Sequence, residues 1–505
     1  MKITKNRDYT ALMLIVIGVL VRTVCFGNIP MGLNQDEAFA AYDAWSILNY
    51  GVDSAGKSYP VYLMAWGSGM NALETYLTIP LYALFGPKEY LIRVPQLIIA
   101  LISLWVVYDM CRNMNDRKLA LWFLAMTAIC PWHIMLSRWA LESNLAPGFL
   151  LFGLYFFTKG LENKRFLPLS ALMYGLALYC YATIWPIVPI MLLLQLIYCR
   201  KKLSINKYSI MSVVILAVLA LPLLMFLGVN YGYMEEKYIG AITIPKLIYL
   251  RSKDITLTNI MENLRLAARM FRNQTDWIMW NSAGEYGILY KISVLPGVIG
   301  LIAAVLKLKN SKNRCSLEGL MLIWLLSASL LALMVRVNVN RINIIYFPMI
   351  YFISYGLYKI AAFFGKPGKI VIVVSYMLMF AGFLNYYFGE FPTECQKSFK
   401  SGVGSAIEAI NDKEGKVYID SDVFHSQVLF YSKTPPHVFT ETVEYWYYPA
   451  EYLSAKSFDR FVFDINTDQI DSEGIYITRS EIRTEKLMQA GFKTEKHGIY
   501  TLAYK

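Results

Sequence analysis

Two neighbouring carboxylates carry the strongest chemical signal in the chain. They lie in Asn34-Gln35-Asp36-Glu37-Ala38, just beyond the first apolar segment. Acids at the edge of an apolar phase are costly unless they are solvated, paired or put to use. A carboxylate in a partly dry site has a perturbed ionisation, which is what a general base needs. The same residues also suit a solvated helix start, because acids favour the N-terminal end of the helix dipole. Residue types alone leave both readings open.

Guanidinium groups are the natural complement, since they hold phosphate and carboxylate oxygens bidentately. Arg138 stands in a short polar turn with Glu142 one helical turn later, so it closes a local ion pair or recognises an anion, with His133 nearby. Arg336 and Arg341 bracket a second turn. Arg265, Arg269 and Arg272 share a helix face and precede Trp277 and Trp280. That grouping fits a headgroup phosphate or a sugar, and equally an interfacial anchor. Arg93 opens an apolar run and is expected to snorkel to the interface. Asp36, Glu37 and Glu74 could offer oxygen ligands to a divalent ion, and His133 a nitrogen, although no zinc-type spacing is present. Neither a P-loop nor a Rossmann fingerprint occurs, so nucleotide binding is not expected.

These residues must be positioned by a membrane protein. The chain has 505 residues, of which 56% are hydrophobic and only 17% charged. Its mean hydropathy is +0.41. A soluble surface carries roughly a quarter charged residues, so a string of soluble domains is excluded. Eleven apolar segments are expected to cross the membrane as helices: Ala11–Phe26, Tyr90–Cys111, Leu119–Leu136, Leu145–Thr158, Phe166–Thr183, Ile187–Cys199, Tyr208–Val229, Ile288–Leu306, Leu317–Val335, Ile342–Ala361 and Ile370–Phe388. The net charge of +12 is uneven, because residues 389–505 hold 13 basic and 18 acidic side chains. A uniformly basic nucleic-acid binder would not divide this way. Basic clusters alternate with the segments, as at Arg112–Lys118, Lys159–Arg165, Arg200–Lys207 and Lys307–Arg314, and mark the cytoplasmic loops.

That alternation predicts a cytoplasmic N-terminus and an outer face bearing two long loops, 27–89 and 230–287, together with the tail. Residues 1–388 form the expected transmembrane catalytic domain, and 389–505 a small extracytoplasmic α/β domain. In the first loop, Asp36–Tyr50 reads as an amphipathic helix lying on the membrane surface, and Ala72–Phe85 as a second helix interrupted near Pro80. In the tail, helices are expected at Val403–Ile410 and Glu481–Ala490, and strands at Lys416–Ile419, Arg460–Phe463, Gly474–Thr478 and Ile499–Tyr504. The cysteines read as small buried hydrophobes.

The first transmembrane helix, followed by Gln-Asp-Glu-Ala and Tyr42-Asp43-Ala44-Trp45-Ser46-Ile47-Leu48, resembles the GT-C membrane glycosyltransferases. The similarity lies towards the branch containing protein O-mannosyltransferases and lipid A aminoarabinose transferases. It continues through Gly51–Pro60, Leu73–Gly86, Tyr90–Pro95 and Cys130–Asn144, with a weaker match around Arg341. The resemblance implies a polyprenyl-phosphate-linked sugar donor and a catalytic Asp36. Glu37, Lys57, Glu74, Arg138, Glu142, Arg269 and Arg341 are the expected substrate-binding residues. The expected activity is inverting sugar transfer to a hydroxyl acceptor (lipid, glycan, cell-wall polymer or protein) at the outer face of the cytoplasmic membrane. No cofactor is required by this reading, a divalent metal is the one candidate, and no nucleic-acid partner is expected. The competing reading is a transporter or flippase for a lipid-linked sugar, or an envelope assembly protein. A transporter should show mid-membrane acids and related halves, whereas the acids here cluster at outer helix ends.

Overall fold

The computed structural model describes residues 8–250, 257–310 and 315–505. The chain forms two compact units, one built from residues 1–26, 96–220 and 253–391, the other from 27–95, 221–252 and 392–505. The expected cut at 388/389 separates an apolar part from a polar tail. The compact units follow a different line, because the tail packs with the first long loop.

The first unit is helical. The eleven segments expected to span the membrane fall largely in helix, but their lengths differ. A hydrocarbon core of about 30 Å needs about 20 residues at 1.5 Å each. Six helical stretches among the described residues meet that demand: Glu89–Met114, Ala182–Lys202, Lys207–Asn230, Lys291–Asn310, Leu317–Met334 and Asn343–Gly389. The last holds two of the expected spans in 47 residues and breaks at Gly365, where φ is +65°. Helix α1 (Tyr9–Thr23) and the helices Arg117–Ile129 and Leu167–Ala177 are shorter, at 15, 13 and 11 residues. The structure therefore does not confirm a count of eleven crossings. It also corrects the reading of the cysteines, because Cys199 and Cys315 form a disulfide, with Cα atoms 4.9 Å apart.

Two buried arginines clamp the C-terminal end of α1. A helix end leaves carbonyls without intrahelical donors, and cations suit its partial negative charge. Arg22 donates to the carbonyls of Gly18, Thr127 and Ala128 at 2.8–3.0 Å and lies 2.7 Å from His133 Nδ1. Arg138 approaches from outside α1 and donates to the carbonyls of Val21, Arg22 and Cys25 at 3.0–3.1 Å. The rings of Tyr387 and Phe388 face its guanidinium at 5.6 and 5.5 Å.

The second unit joins the first long loop to the tail. Helix α2 (Gln35–Tyr50) packs against α3 (Leu73–Phe85) and the tail helix His425–Ser432. α2 is not the surface helix that its spacing suggested. Its buried residues run Glu37–Ala44 without interruption, then Ser46 and Ile47, so tail and loop cover it on several sides. α3 runs through Pro80, which sits on its exposed side. The tail carries a seven-stranded mixed sheet in the order Lys493–His497, Tyr500–Tyr504, Ile475–Thr478, Val417–Ile419, Phe461–Val462, Ala455–Phe458, Glu444–Tyr445. Val417–Ile419 is central and parallel to both neighbours, whereas the remaining pairs are antiparallel. The expected helices and strands of the tail are present within a residue or two. Three further strands and the helices His425–Ser432 and Pro436–Thr442 were not anticipated.

Arg138→Ala removes three charge-assisted bonds from a buried helix end. A loss of about 2–4 kcal/mol of stability is expected, by the scale of such bonds. Thermal unfolding of the solubilised protein measures it, and Arg138→Lys, which lacks the planar fork, should recover less than half.

Candidate functional site

The site is built at the start of α2. Asn34 is its N-cap and accepts from the Asp36 backbone N–H at 3.1 Å, while Glu37 Oε2 accepts from the Asn34 N–H at 2.9 Å. This reciprocal cap satisfies donors that a helix start otherwise leaves unmet. Glu37 does more. Its two oxygens receive Arg93 Nε at 2.8 Å and Nη2 at 2.9 Å, with both side chains completely buried. Arg93 also donates to the carbonyls of Pro30 at 2.6 Å and Gly32 at 2.5 Å, which ties down the approach to the helix. Arg93 was expected to snorkel, but it lies buried in the middle of this network. Glu37, expected at the substrate, is committed to Arg93.

Asp36 lies beside this pair and has a different environment. It is half-buried, and its Oδ1 accepts from Trp66 Nε1 at 2.9 Å. The Trp66 ring is packed by Phe39 at 4.7 Å, and by Phe424 and His425 at 5.6 Å each. Burial pushes the His425 imidazole down to about 3, so the ring beside Trp66 is neutral. Trp66 is the residue of the candidate site that sequence reasoning missed. Its only signal was a tryptophan in the same loop as the acid.

Two further acids follow on the same loop. Asp43 and Asp53 are both fully buried. Asp53 accepts the backbone N–H groups of Ala55, Lys57 and Met64 at 2.8–3.1 Å, so it organises the turn 53–64. Asp43 accepts the Ser54 N–H at 2.7 Å, while its Oδ2 has no hydrogen-bond partner. Burial pushes the Asp53 carboxyl up to about 6, against its three donors, and burial with the nearby Asp53 charge pushes Asp43 well above the usual range. Donors favour the ionised form where they gather, so Asp53 holds the charge and Asp43 the proton.

The other expected residues fall in separate settings. Lys57 pairs with Glu236 at 2.8 Å, joining the first loop to the segment after 221. Glu74 is buried in the first turn of α3. In the other unit, Arg138 caps α1. Arg269 is exposed over the Trp277 ring at 4.2 Å. Arg341 is half-buried, and its backbone N–H donates to Asn338. Neither Arg269 nor Arg341 forms a salt bridge within the described structure. Glu142 opens a single 3-10 turn, Glu142–Leu145. The donors proposed for a divalent ion do not gather. Glu37 is held by Arg93 and His133 by Arg22, and no group of three His, Cys, Asp or Glu residues lies together among the described residues.

With this geometry in place, the chain can be set beside known proteins. Residues 72–226 match the family model described as dolichyl-phosphate-mannose-protein mannosyltransferase. That segment includes Glu74, Arg93, Arg138 and Glu142 and begins after Asp36. No curated protein matches the sequence. Among solved structures, the chain is similar to ArnT from Cupriavidus metallidurans in its apo state, with a TM-score of 0.56 at 11% identity, covering 97% of each chain. It is similar to the same protein bound to undecaprenyl phosphate, with a TM-score of 0.57 at 12% identity and 98% of each chain. The apo oligosaccharyltransferase of Archaeoglobus fulgidus gives a TM-score of 0.50 at 10% identity, over 84% of this chain and 63% of that one.

Two outcomes follow from the buried acids. Glu37→Ala leaves Arg93 charged and uncompensated, which costs about 3–5 kcal/mol for a buried pair; the yield of folded protein should collapse, whereas Asp36→Asn should unfold near the parent midpoint. Asp43 and Asp53 have raised folded-state values, so their contribution is complete below about pH 4; the Asp53 part is lost as pH rises through about 6, and the Asp43 part as pH rises further through its own raised value. The unfolding midpoint of the solubilised protein should fall over that range. Asp43→Asn should flatten the fall and raise the midpoint at pH 7.5, as followed by differential scanning fluorimetry.

The chain thus shares the fold of ArnT across nearly its full length, and residues 72–226 match the mannosyltransferase family model.

Proposed function

We propose that the protein is an inverting glycosyltransferase that moves a sugar from a polyprenyl-phosphate donor to a hydroxyl acceptor on the outer face of the cytoplasmic membrane. The observation that carries this reading is the contrast between two adjacent acids. Glu37 is completely buried against Arg93 and the Asn34 N–H, while Asp36, which accepts the Trp66 indole N–H, is half-buried.

In the proposed step, Asp36 accepts the proton of the acceptor hydroxyl as that oxygen attacks the anomeric carbon. The new C–O bond forms as the bond to the phosphate oxygen breaks, and the electron pair leaves with the polyprenyl phosphate. Attack opposite the leaving group inverts the anomeric centre. Charge growing on the phosphate needs cations in place beforehand. No step is routed through a metal, because the donor set does not fit one. ArnT has been solved with undecaprenyl phosphate, which favours a donor of that chemical class here. The orientation, with a cytoplasmic N-terminus and the tail outside, belongs to this proposal and rests on the basic loops.

Asp36→Asn should lower turnover by about 10²–10⁴-fold, the usual contribution of a positioned base, with donor binding and unfolding unchanged. Mass spectrometry of envelope glycans from a deletion strain, complemented by parent or variant, reads the transferred sugar. Restored glycans with the variant would overturn the assignment.

A further inference from the structure

The turn between the strands Glu444–Tyr445 and Ala455–Phe458 displays Trp446, Tyr447, Tyr448 and Tyr452, with 42, 80, 65 and 54% of their surfaces exposed. Large aromatic surfaces grouped in water mark interaction sites. The turn is not loosely hung. Trp446 N–H donates to the Ser454 carbonyl at 3.0 Å, and the Tyr445 and Tyr448 rings stack at 6.1 Å. The turn's base sits on the first loop. A Cβ at Gly67 would lie 1.9 Å from the Ala450 carbonyl oxygen, so only glycine permits this approach. The neighbour of Gly67 is Trp66, which meets the Tyr452 ring at 6.5 Å and holds Asp36 through its indole N–H. The Trp66–Tyr452 ring pair therefore links the residue that holds the proposed base to the exposed turn.

We infer that this ledge is the subsite for the saccharide part of the acceptor, an uncharged glycan whose attacking hydroxyl reaches Asp36. The inference rests on the reading of Asp36 as the base. Aromatic faces carry negative charge density and attract the weakly positive C–H faces of sugar rings, while tyrosine hydroxyls add hydrogen bonds. The charges beside the rings are of both signs: Lys456 lies 3.8 Å from the Glu444 carboxylate and 6.0 Å from the Trp446 ring centre, so the ledge presents rings with a paired charge, which suits an uncharged occupant. Strand addition by a peptide is disfavoured, because the edge strand Glu444–Tyr445 has two residues and an irregular register.

The test uses the full chain in nanodiscs, applied to an array of neutral oligosaccharides, with anionic-lipid vesicles and unglycosylated Ser/Thr-rich peptides as separate arms. The parent should bind at least one neutral oligosaccharide. Tyr447→Ala with Tyr448→Ala should weaken that binding about tenfold or more, whereas Tyr447→Phe should retain most of it. Asp36→Asn should bind glycan as the parent does while failing to transfer. Retention of vesicles or peptides alone, or equal glycan binding by the alanine variant, would overturn the inference. Ledge-dependent glycan binding without transfer from any polyprenyl-phosphate sugar would leave the ledge standing and defeat the reading of Asp36. Loss of transfer in Asp36→Asn with unaltered acceptor KM in the alanine variant would do the reverse.

Discussion

The second unit depends on one desolvated ion pair. Moving a carboxylate and a guanidinium out of water costs several kcal/mol per ion even after relaxation. Glu37 and Arg93 offset that cost by meeting bidentately and by using the remaining hydrogen-bonding capacity on backbone groups. Glu37 takes the Asn34 N–H, and Arg93 gives to Pro30 and Gly32. The pair thus fixes the chain entering α2 as well as the rotation of α2 about its axis. Successive residues on a helix point about 100° apart, at 3.6 per turn. Once Glu37 is turned inward to Arg93, Asp36 has to face another way, towards Trp66. The position of the proposed base follows from the anchoring of its neighbour.

The acids of the first loop then divide by environment. Glu37 is buried and paired, and its role is architectural. Asp53 is buried but surrounded by three backbone donors, so it keeps its charge and shapes the turn. Asp43 is met by Ser54 alone, and burial with the Asp53 charge beside it favours its protonated form. Asp36 is half-buried, at a helix start where the dipole favours negative charge. Carboxylates in such different surroundings acquire different roles without any difference in intrinsic chemistry.

The sequence conveyed the class of the fold and the acid at its centre more readily than the tasks of the cations. Apolar runs, basic loops and the polar tail are averages over many residues, and they survive errors at any one position. The Asp36 motif was legible because two acids beside an apolar segment are conspicuous. Arg93 and Arg138 were misplaced for a common reason: a guanidinium binds backbone carbonyls, a carboxylate or a phosphate with the same fork, and sequence does not show which oxygens lie within reach. α2 looked like a surface helix because its spacing of aromatic residues is amphipathic, and the tail residues that cover it lie nearly 400 positions away (Ser426 donates to the Gln35 carbonyl and Gln427 to the Leu33 carbonyl). The strand Lys493–His497 has no apolar alternation. It exists through pairing with Tyr500–Tyr504 across a tight turn.

The tail's packing bears on how an acceptor is chosen. A soluble appendage joined only by its linker would set no geometry at the acid. Here the tail helix His425–Ser432 lies against α2, and Tyr42 donates to the Thr434 carbonyl at 2.6 Å. Phe424 and His425 pack on the indole that holds Asp36. Tail residues thereby form part of the wall around the proposed base. A change of acceptor specificity can come from replacing the aromatic turn 446–452 while leaving the Asn34, Asp36 and Glu37 framework intact. In that proposal a fixed corner carries the chemistry and a replaceable surface the recognition, the division by which one fold serves different acceptors.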